Sequence, residues 1–495
     1  MRAAELRIAS ATAALLLLAG CVVGPDFARP AAPQTSGYTP DPLTATAGAP
    51  VRGGEPQRFV QERDIPGQWW MLFHSASLNA LIEEALKANP SLQAAEAALR
   101  QAQENVRAAN GVFFPTVTGN LSSTREKISG IQFGNNASSL FSLNTASLNV
   151  SYPLDVFGGE RRQLEALGAQ VDYERFQLEA AYLTLTANLV ATVVQEASLR
   201  GQITANQDIV AIDEQELNLL RQQLALGGVA KTAVLAQAAA LEQARSTVPP
   251  LEKQLAQTRN QLTDFLGRFP SEAPGESFDL ASLQLPEELP VSLPSKLVEQ
   301  RPDVLAAESQ LHAASAQIGV ATANQFPQFN ITGSLGSTAL TPGGLFSPGT
   351  GIWSIGASAA QTLFDAGTLL HKKRAAIAAF DQAAAQYRVT VLAAFQNVAD
   401  ALRALQSDAN ALSAQVGAER AAADSLELAR QQFRLGAITY LALLNAEQTY
   451  QQTRIGRVQA QANRFADTAA LFQALGGGWW NRADVPAAAA DRAAQ

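Results

Sequence analysis

Hydrophobic positions recur at steps of seven through two long stretches of the chain. In the first, Leu164, Val171, Leu178 and Leu185 mark the seam, and Ile203, Val210, Leu217 and Leu224 resume it after a gap of 18 residues. That gap is two heptads plus four, a stutter, and it falls beside Gly201. In the second stretch Leu370, Ile377, Ala384, Val391, Val398, Leu405 and Leu412 keep the period, followed by Leu426 and Phe433. The pattern predicts two helices of about 68 residues, each roughly 100 Å long at 1.5 Å per residue. An ordinary globular core cannot bury such a rod, whereas a tube or a coiled coil can use it. Both stretches stop at a Leu-Gly pair, Leu226-Gly227 and Leu435-Gly436, and reverse into return helices over 228–266 and 437–475. Pro249-Pro250 is expected to kink or break the first return helix, where the other copy has Val458-Gln459.

The two stretches belong to one repeated unit. Asn89-Pro90 matches Arg301-Pro302, Ala94-Ala95-Glu96 matches Ala306-Ala307-Glu308, and Phe114-Pro115 matches Phe326-Pro327, all at an offset of 212. Farther along the offset settles at 209, as for Arg221 with Arg430 and Leu266-Gly267 with Leu475-Gly476. Each unit opens with a helix of about 22 residues, 89–110 and 302–325. Added to its return helix, this matches the long rod in length, so two shorter helices laid end to end flank one long one. Between the first helix and the rod the period changes from helical to two. Phe329, Ile331, Gly333 and Leu335 alternate with Asn330, Thr332 and Ser334, and Pro115 to Thr124 reads as the equivalent strand. Loops at 129–139 and 341–351 lead to second strands with Leu148, Val150 and Tyr152 on one face, and Trp353, Ile355, Ala357 and Ala359 on one face of the other. Asp155 and Asp365 sit where each hairpin gives way to its rod, as junction residues.

Outside the repeats the pattern is thinner. Arg2 and Arg7 precede an apolar run from Ile8 to Ala19, too short to span a bilayer, and Leu18-Ala19-Gly20-Cys21 follows. This reads as a secretory signal whose end resembles the bacterial lipobox. The resemblance implies cleavage before Cys21 and a covalent lipid on it, as diacylglyceryl and N-acyl groups. Val22, in place of Asp, points to the outer membrane. The expected division is 1–20 signal peptide, 21–88 lipid-anchored arm and short helix, 89–267 first repeat, 268–300 Pro-rich connector, 301–476 second repeat and 477–495 tail. The connector reads as extended and the tail as loosely ordered.

Composition narrows the function classes. The chain has 495 residues, 47% hydrophobic and 16% charged, which excludes disorder as its general state. Its net charge is −8 and it has no basic cluster, which argues against a nucleic-acid partner. The single cysteine excludes an internal disulfide, and His74, His312 and His371 lack ligand spacing. No catalytic order, phosphate loop or cofactor fingerprint stands out, so an enzyme is not expected.

Four strands of roughly ten residues suit a tilted membrane-spanning sheet, yet four cannot close, and lipid does not tolerate an open edge. Other chains must complete it; three copies give twelve strands, though counting alone does not choose three. The fold expected is an α+β membrane protein of two tandem repeats, each with long coiled-coil helices and a β-hairpin. If both hairpin loops lie outside the cell, both Leu-Gly turns fall at one periplasmic end.

Several stretches together carry a family resemblance. They are Cys21-Val22-Val23-Gly24-Pro25-Asp26-Phe27 with Arg29-Pro30, Trp69-Trp70-Met71-Leu72-Phe73, both Phe-Pro junctions, Pro153-Leu154-Asp155-Val156-Phe157-Gly158 and the paired Leu-Gly turns. The chain resembles the NodT/OprM-like, TolC-related outer membrane factor lipoproteins of tripartite efflux systems. That implies a homotrimer with a 12-stranded outer-membrane β-barrel continuous with a periplasmic α-barrel. It also implies docking onto a periplasmic adaptor protein and an inner-membrane pump, usually of the resistance-nodulation-division class. The chain would be a passive exit duct in the outer membrane of a Gram-negative bacterium. A secretion channel and a pore-free, lipid-anchored coiled-coil scaffold are the rival readings.

By the same resemblance, the adaptor docks at Leu226, Gly227 and Gly228 and at Leu435, Gly436 and Ala437, although a glycine there also serves as a plain helix terminator. The family's pore closes just past the second turn. Leu441 falls on its apolar constriction position, and Asn445 shares that helical face. Asn445 stands where many relatives carry Asp, which removes the acidic ring. Arg430 and Arg434 sit before the turn, either as ion-pair partners holding a closed tip or as solvated cations near a helix C-terminus. Glu447 is expected off the gate face, against a neighbour.

Overall fold

The computed structural model describes residues 22–129, 131, 138–273 and 275–484. The signal segment, Cys21 and the last part of the tail, from residue 485 on, lie outside the described residues, as does most of the 129–139 loop.

In chain order the elements are β1 (Arg58–Gln61), α1 (Ala76–Ala88), α2 (Pro90–Ala109), β2 (Thr116–Ile128), β3 (Ser139–Leu154), α3 (Gly159–Ala225), α4 (Lys231–Phe265), β4 (Glu288–Val291), α5 (Pro294–Gln300), α6 (Pro302–Ala323), β5 (Gln328–Ala339), β6 (Gly351–Ala360), α7 (Thr368–Arg434) and α8 (Tyr440–Ala474). The duplication is visible in the lengths: α3 and α7 have 67 residues each, and α4 and α8 have 35 each. Among the described residues no helix is long and apolar enough to cross a membrane.

The chain divides into two compact units, and α3 and α7 each begin in one and end in the other. The first unit holds the hairpins and the adjoining helix segments. Its sheet has the order β2-β3-β5-β6, antiparallel throughout, so the two hairpins of the repeat lie side by side. The register sorts the side chains into two faces. Val117 stands opposite Val150, which stands opposite Gly333 and then Ile355; the next row is Gly119, Leu148, Leu335 and Trp353. The intervening rows put Thr118, Asn149, Ser334 and Ser354 on the other face, where Ser334 and Ser354 hydrogen-bond at 2.8 Å and Ser151 donates to Asn330 at 3.3 Å. Over these rows one face is apolar and the other carries Ser, Thr and Asn; toward the hairpin tips Ser123, Asn144 and Ser337 join the first face. Strand β2 extends past the expected end at Thr124 because Arg125, Glu126 and Lys127 find ladder partners in Ser142, Phe141 and Leu140.

Each long helix is started by the junction aspartate. Asp155 accepts from the Glu160 and Arg161 amides at 3.0 Å, and Asp365 from those of Gly367 at 2.9 Å and Leu369 at 2.7 Å. The Leu369 amide above all, with burial opposing it, holds the Asp365 carboxyl below the usual carboxylate range. The segment following Cys21 packs at the same place. The Val23 amide donates to the Phe157 carbonyl, and Arg162, buried, donates to Asp26 at 2.6 Å and Glu165 at 2.7 Å. Phe27 stacks on His312 with ring centroids 4.3 Å apart, and His312 meets Glu165 at 3.0 Å.

The second unit holds the main core. Trp69, Trp70 and Phe73 are buried with Phe465 and Phe472, and Trp69 stacks on Phe472 at 5.2 Å. Arg464, with no exposed surface, donates to the carbonyls of Gly53 and Glu55 and to Gln57 Oε1, fastening the N-terminal arm to α8. The expected end-to-end helices are joined in the same way in both repeats. Asn89 accepts from the Ser91 and Leu92 amides, capping α2, while its Nδ2 donates to the Phe265 carbonyl at 2.9 Å. Arg301, the repeat equivalent, donates to the Ala474 carbonyl at 2.7 Å. The last orphan carbonyls of each return helix are thus taken up by the start of the short one.

Two expectations need correction and one is narrowed. Of the kink or break expected at Pro249-Pro250, the break does not occur, since helix α4 runs through both. The carbonyls that lose amide partners belong to Arg245 and Ser246, both exposed, so water satisfies them. The connector is not simply extended: β4 pairs parallel with β1, Pro294 starts α5, and Leu283, Leu289 and Leu297 are fully buried. Nor is the beginning of the tail loose. Trp479 and Trp480 are buried, Trp479 donates to the Gln300 carbonyl, and Arg482 pairs with Glu179 at 2.8 Å while lying 3.7 Å over the Tyr182 ring. Two indoles bury enough apolar area to order a chain end whose sequence is otherwise Gly- and Ala-rich.

The heptad seam of α7 is buried from Val391 through Val398, Leu405, Leu412 and Leu426, but Leu370 and Ile377, its first two positions, are exposed. Helix α3 passes the stutter unbroken. A Cβ at Gly201 would stand 3.1 Å from Val458, so glycine there lets α8 approach closely.

Candidate functional site

The two Leu-Gly turns lie in the second unit and share one apolar cluster. Leu220, Leu426, Ala429, Tyr440, Leu443 and Leu444 are its buried members, with Val229, Phe433 and Ile438 against them. Each turn closes in the same way. Gly227 and Gly436 have φ of 75° and 73°, and the following amides, Gly228 and Ala437, reach back to the Gln223 and Gln432 carbonyls at 2.8 and 2.9 Å. This six-residue closure requires a left-handed residue after the helix. Nothing lies within 4 Å of a Cβ built on either glycine, so conformation alone demands them. Leu226 and Leu435 stand 87% and 84% exposed at the apices, as bare apolar side chains beside the two glycines.

Past the second turn α8 presents two faces. Leu441 and Asn445 are exposed together, with Ala442 between them, while Leu443, Leu444 and Glu447 are buried. The sequence-derived gate pair therefore shares an open face, and Glu447 faces inward. The arginines separate as well. Arg430 meets Glu447 at 3.3 Å across two helices, whereas Arg434, exposed, reaches only Glu427 of its own helix at 4.0 Å among the described residues.

Beneath the turns lies a polar cluster to which all four long and return helices contribute. Helix α3 supplies Asp213 and Glu216, α4 Gln237, α7 Arg430, and α8 Tyr440 and Glu447. The Tyr440 hydroxyl donates to Gln237 Oε1, and Gln237 Nε2 donates to the Asp213 carbonyl and carboxylate at 3.1 Å each. The Glu447 carboxyl stands beside the Glu216 carboxyl. Glu447 is 2% exposed, and Oε2 of each glutamate is buried without a donor. Two such oxygens face one another comfortably only with a proton between them. Burial, then the Glu216 carboxyl, push Glu447 from its ordinary 4.5 up to about 9, against the pull of Arg430. Burial likewise raises the Tyr440 hydroxyl and Asp213. Sequence reading singled out Arg430, Leu441 and Asn445 but not Glu216, Gln237 or Asp213. The last three lie on the other repeat, and Tyr440 and Gln237 are 203 positions apart.

Among the described residues no group of His, Cys, Asp or Glu is arranged to hold a metal ion. What this site offers is surfaces, a turn pair and an open face, with no reacting groups converging on a substrate.

Comparison with known proteins agrees with these features. The family model described as outer membrane efflux protein matches residues 81–268 and 293–477, one span per repeat. The chain is 29% identical over 471 residues to the probable efflux pump outer membrane protein TtgC of Pseudomonas putida, covering 94% of each chain. It is 28% identical to the cation efflux system protein CusC of Escherichia coli, covering 94% of this chain and 97% of CusC. Among solved structures it is similar to the outer-membrane channel OprN, with a TM-score of 0.83, 28% identity, and 93% and 100% of the two chains covered.

Proposed function

Because the chain belongs to the outer membrane efflux protein family and is the outer-membrane channel of an efflux pump, non-enzymatic and reaching into the periplasm, we propose that three copies build one passive exit duct. The observation that carries this reading is the sheet. Strands β2 and β6 end it, each with an unpaired edge among the described residues, and one of its faces carries a band of apolar side chains. Strand directions alternate across the four, so β6 of one copy pairs antiparallel with β2 of the next, and the ring closes with an even number of strands. The Ser, Thr and Asn face then lines water and the Val, Leu, Ile and Trp face meets lipid. The exposed seam positions Leu370 and Ile377 support contact with a second copy.

In this reading Leu226-Gly227-Gly228 and Leu435-Gly436-Ala437 take the hairpins of a periplasmic adaptor, which links the duct to an inner-membrane pump of the resistance-nodulation-division class. The exposed leucines at the two apices suit an apolar docking contact. Leu441 forms the constriction and Asn445 a neutral ring beside it. Lipid on Cys21 anchors the chain at the foot of the hairpins: Val22 lies 2.9 Å from a Cβ built on Gly158, where β3 gives way to α3.

The experiment is conductance in planar bilayers with cysteine pairs placed across the β2 and β6 edges. Cross-linked trimers with a small closed-state conductance are expected, and Leu441→Ala with Asn445→Ala is expected to raise that conductance several-fold. Monomers without conductance, or an unchanged conductance in the double variant, would remove respectively the duct and the gate.

A further inference from the structure

We propose that Glu216 and Glu447 share a proton and thereby clasp the α7–α8 tip onto the α3–α4 tip, so that opening the second turn releases that proton. The inference rests on the reading that the second turn gates, and it adds what holds the gate shut inside a single chain.

The geometry is unusual for a structural ion pair. Two carboxyls stand side by side, each with one buried oxygen that has no donor, one of them on a residue only 2% exposed. A single cation, Arg430, is present at 3.3 Å from Glu447. With one proton the pair carries one negative charge, which Arg430 balances. Without it a second negative charge stands in the same place, uncompensated. The remaining groups facing Glu447 make this worse. Asp213 lies on α3 one turn before Glu216, and Tyr440, held neutral, donates to Gln237 of α4 and stands beside Glu216. Among the described residues, no cation other than Arg430 pairs with Glu447.

The sign of the pH dependence follows. Glu447 is raised from 4.5 to about 9 with the tip closed, and exposure to water on opening returns it to its ordinary value. Between these limits the closed tip binds a proton that the open tip does not. Closure is therefore strongest in acid, weakens as pH rises through this window and is lost above about 9. The opening constant rises up to about tenfold per pH unit, the slope of one coupled proton.

The test uses the full-length protein in planar bilayers, with open probability recorded from about pH 5 to about pH 9, the window that linkage sets. Open probability is expected to rise with pH in the wild type. Glu447→Gln mimics the protonated acid, so its amide donates to Glu216, and the slope should flatten with the channel held closed. Asp408→Asn removes another carboxyl that titrates in this range, shared with Asp467 away from the tip, and should leave the slope in place. A wild-type slope retained in Glu447→Gln overturns the clasp. Infrared spectroscopy on the Asp408→Asn background, which removes the other carboxyl raised into this range, provides a readout independent of gating: a protonated carboxyl band at neutral pH, lost when either Glu447→Gln or Glu216→Gln is added. Absence of that band in Asp408→Asn also overturns it. If Leu441→Ala with Asn445→Ala changes nothing while the band behaves as stated, the gate assignment fails and the proton-sharing pair stands.

Discussion

The tip glycines are the simplest place to measure what a single residue does. Gly227 and Gly436 have room for a methyl group but hold a left-handed φ. Replacement by Ala is therefore expected to cost about 1 kcal/mol at each site, from backbone strain alone. Paired thermal denaturation of the two single variants should give equal shifts, since the closures are equivalent. An unequal pair would mean that the surroundings contribute. At this scale the sequence was legible where a residue type answers a local demand. Leu-Gly at a helix end and Asp at a helix start both reported their roles directly. The clasp was not legible, because Glu447, though expected against a neighbour, has no identifiable partner until Glu216 of the other repeat is placed beside it.

At the scale of elements, the two repeats make an internal comparison. Helices α4 and α8 have the same length, yet one contains Pro249-Pro250 and the other Val458-Gln459. The prolines leave two carbonyls to water and keep the helix, so Pro249→Ala with Pro250→Ala should restore both bonds and stabilise the protein by roughly 1–3 kcal/mol. A rise in Tm with unchanged conductance is the expected result. Periodicity exposed the helices and strands because each keeps one period over many residues. It failed at the connector and the tail, where order comes from buried Leu283, Leu297, Trp479 and Trp480 meeting distant partners. Short segments of that kind have no period to read. The helix joints at Asn89 and Arg301 were visible as repeat matches, but their purpose, taking the final carbonyl of the return helix, required the coordinates.

At the scale of the whole molecule, the sheet has two different ends. One is β2 and the other β6, so in the proposed ring each copy offers β6 to the β2 of the next, and association is head to tail. The consequence is genetic as well as structural. A copy whose β2 is spoiled, for instance by proline at Leu121, can still offer β6 to a neighbour and then block the next addition. Such an allele should be dominant: expressed beside the wild type, it should deplete functional channels more than its share of the protein, and efflux-dependent growth in the presence of a toxic substrate would report it. A copy with proline on both edges joins no ring and should be recessive. The asymmetry of one small sheet thus decides whether a damaged gene can be masked by an intact one.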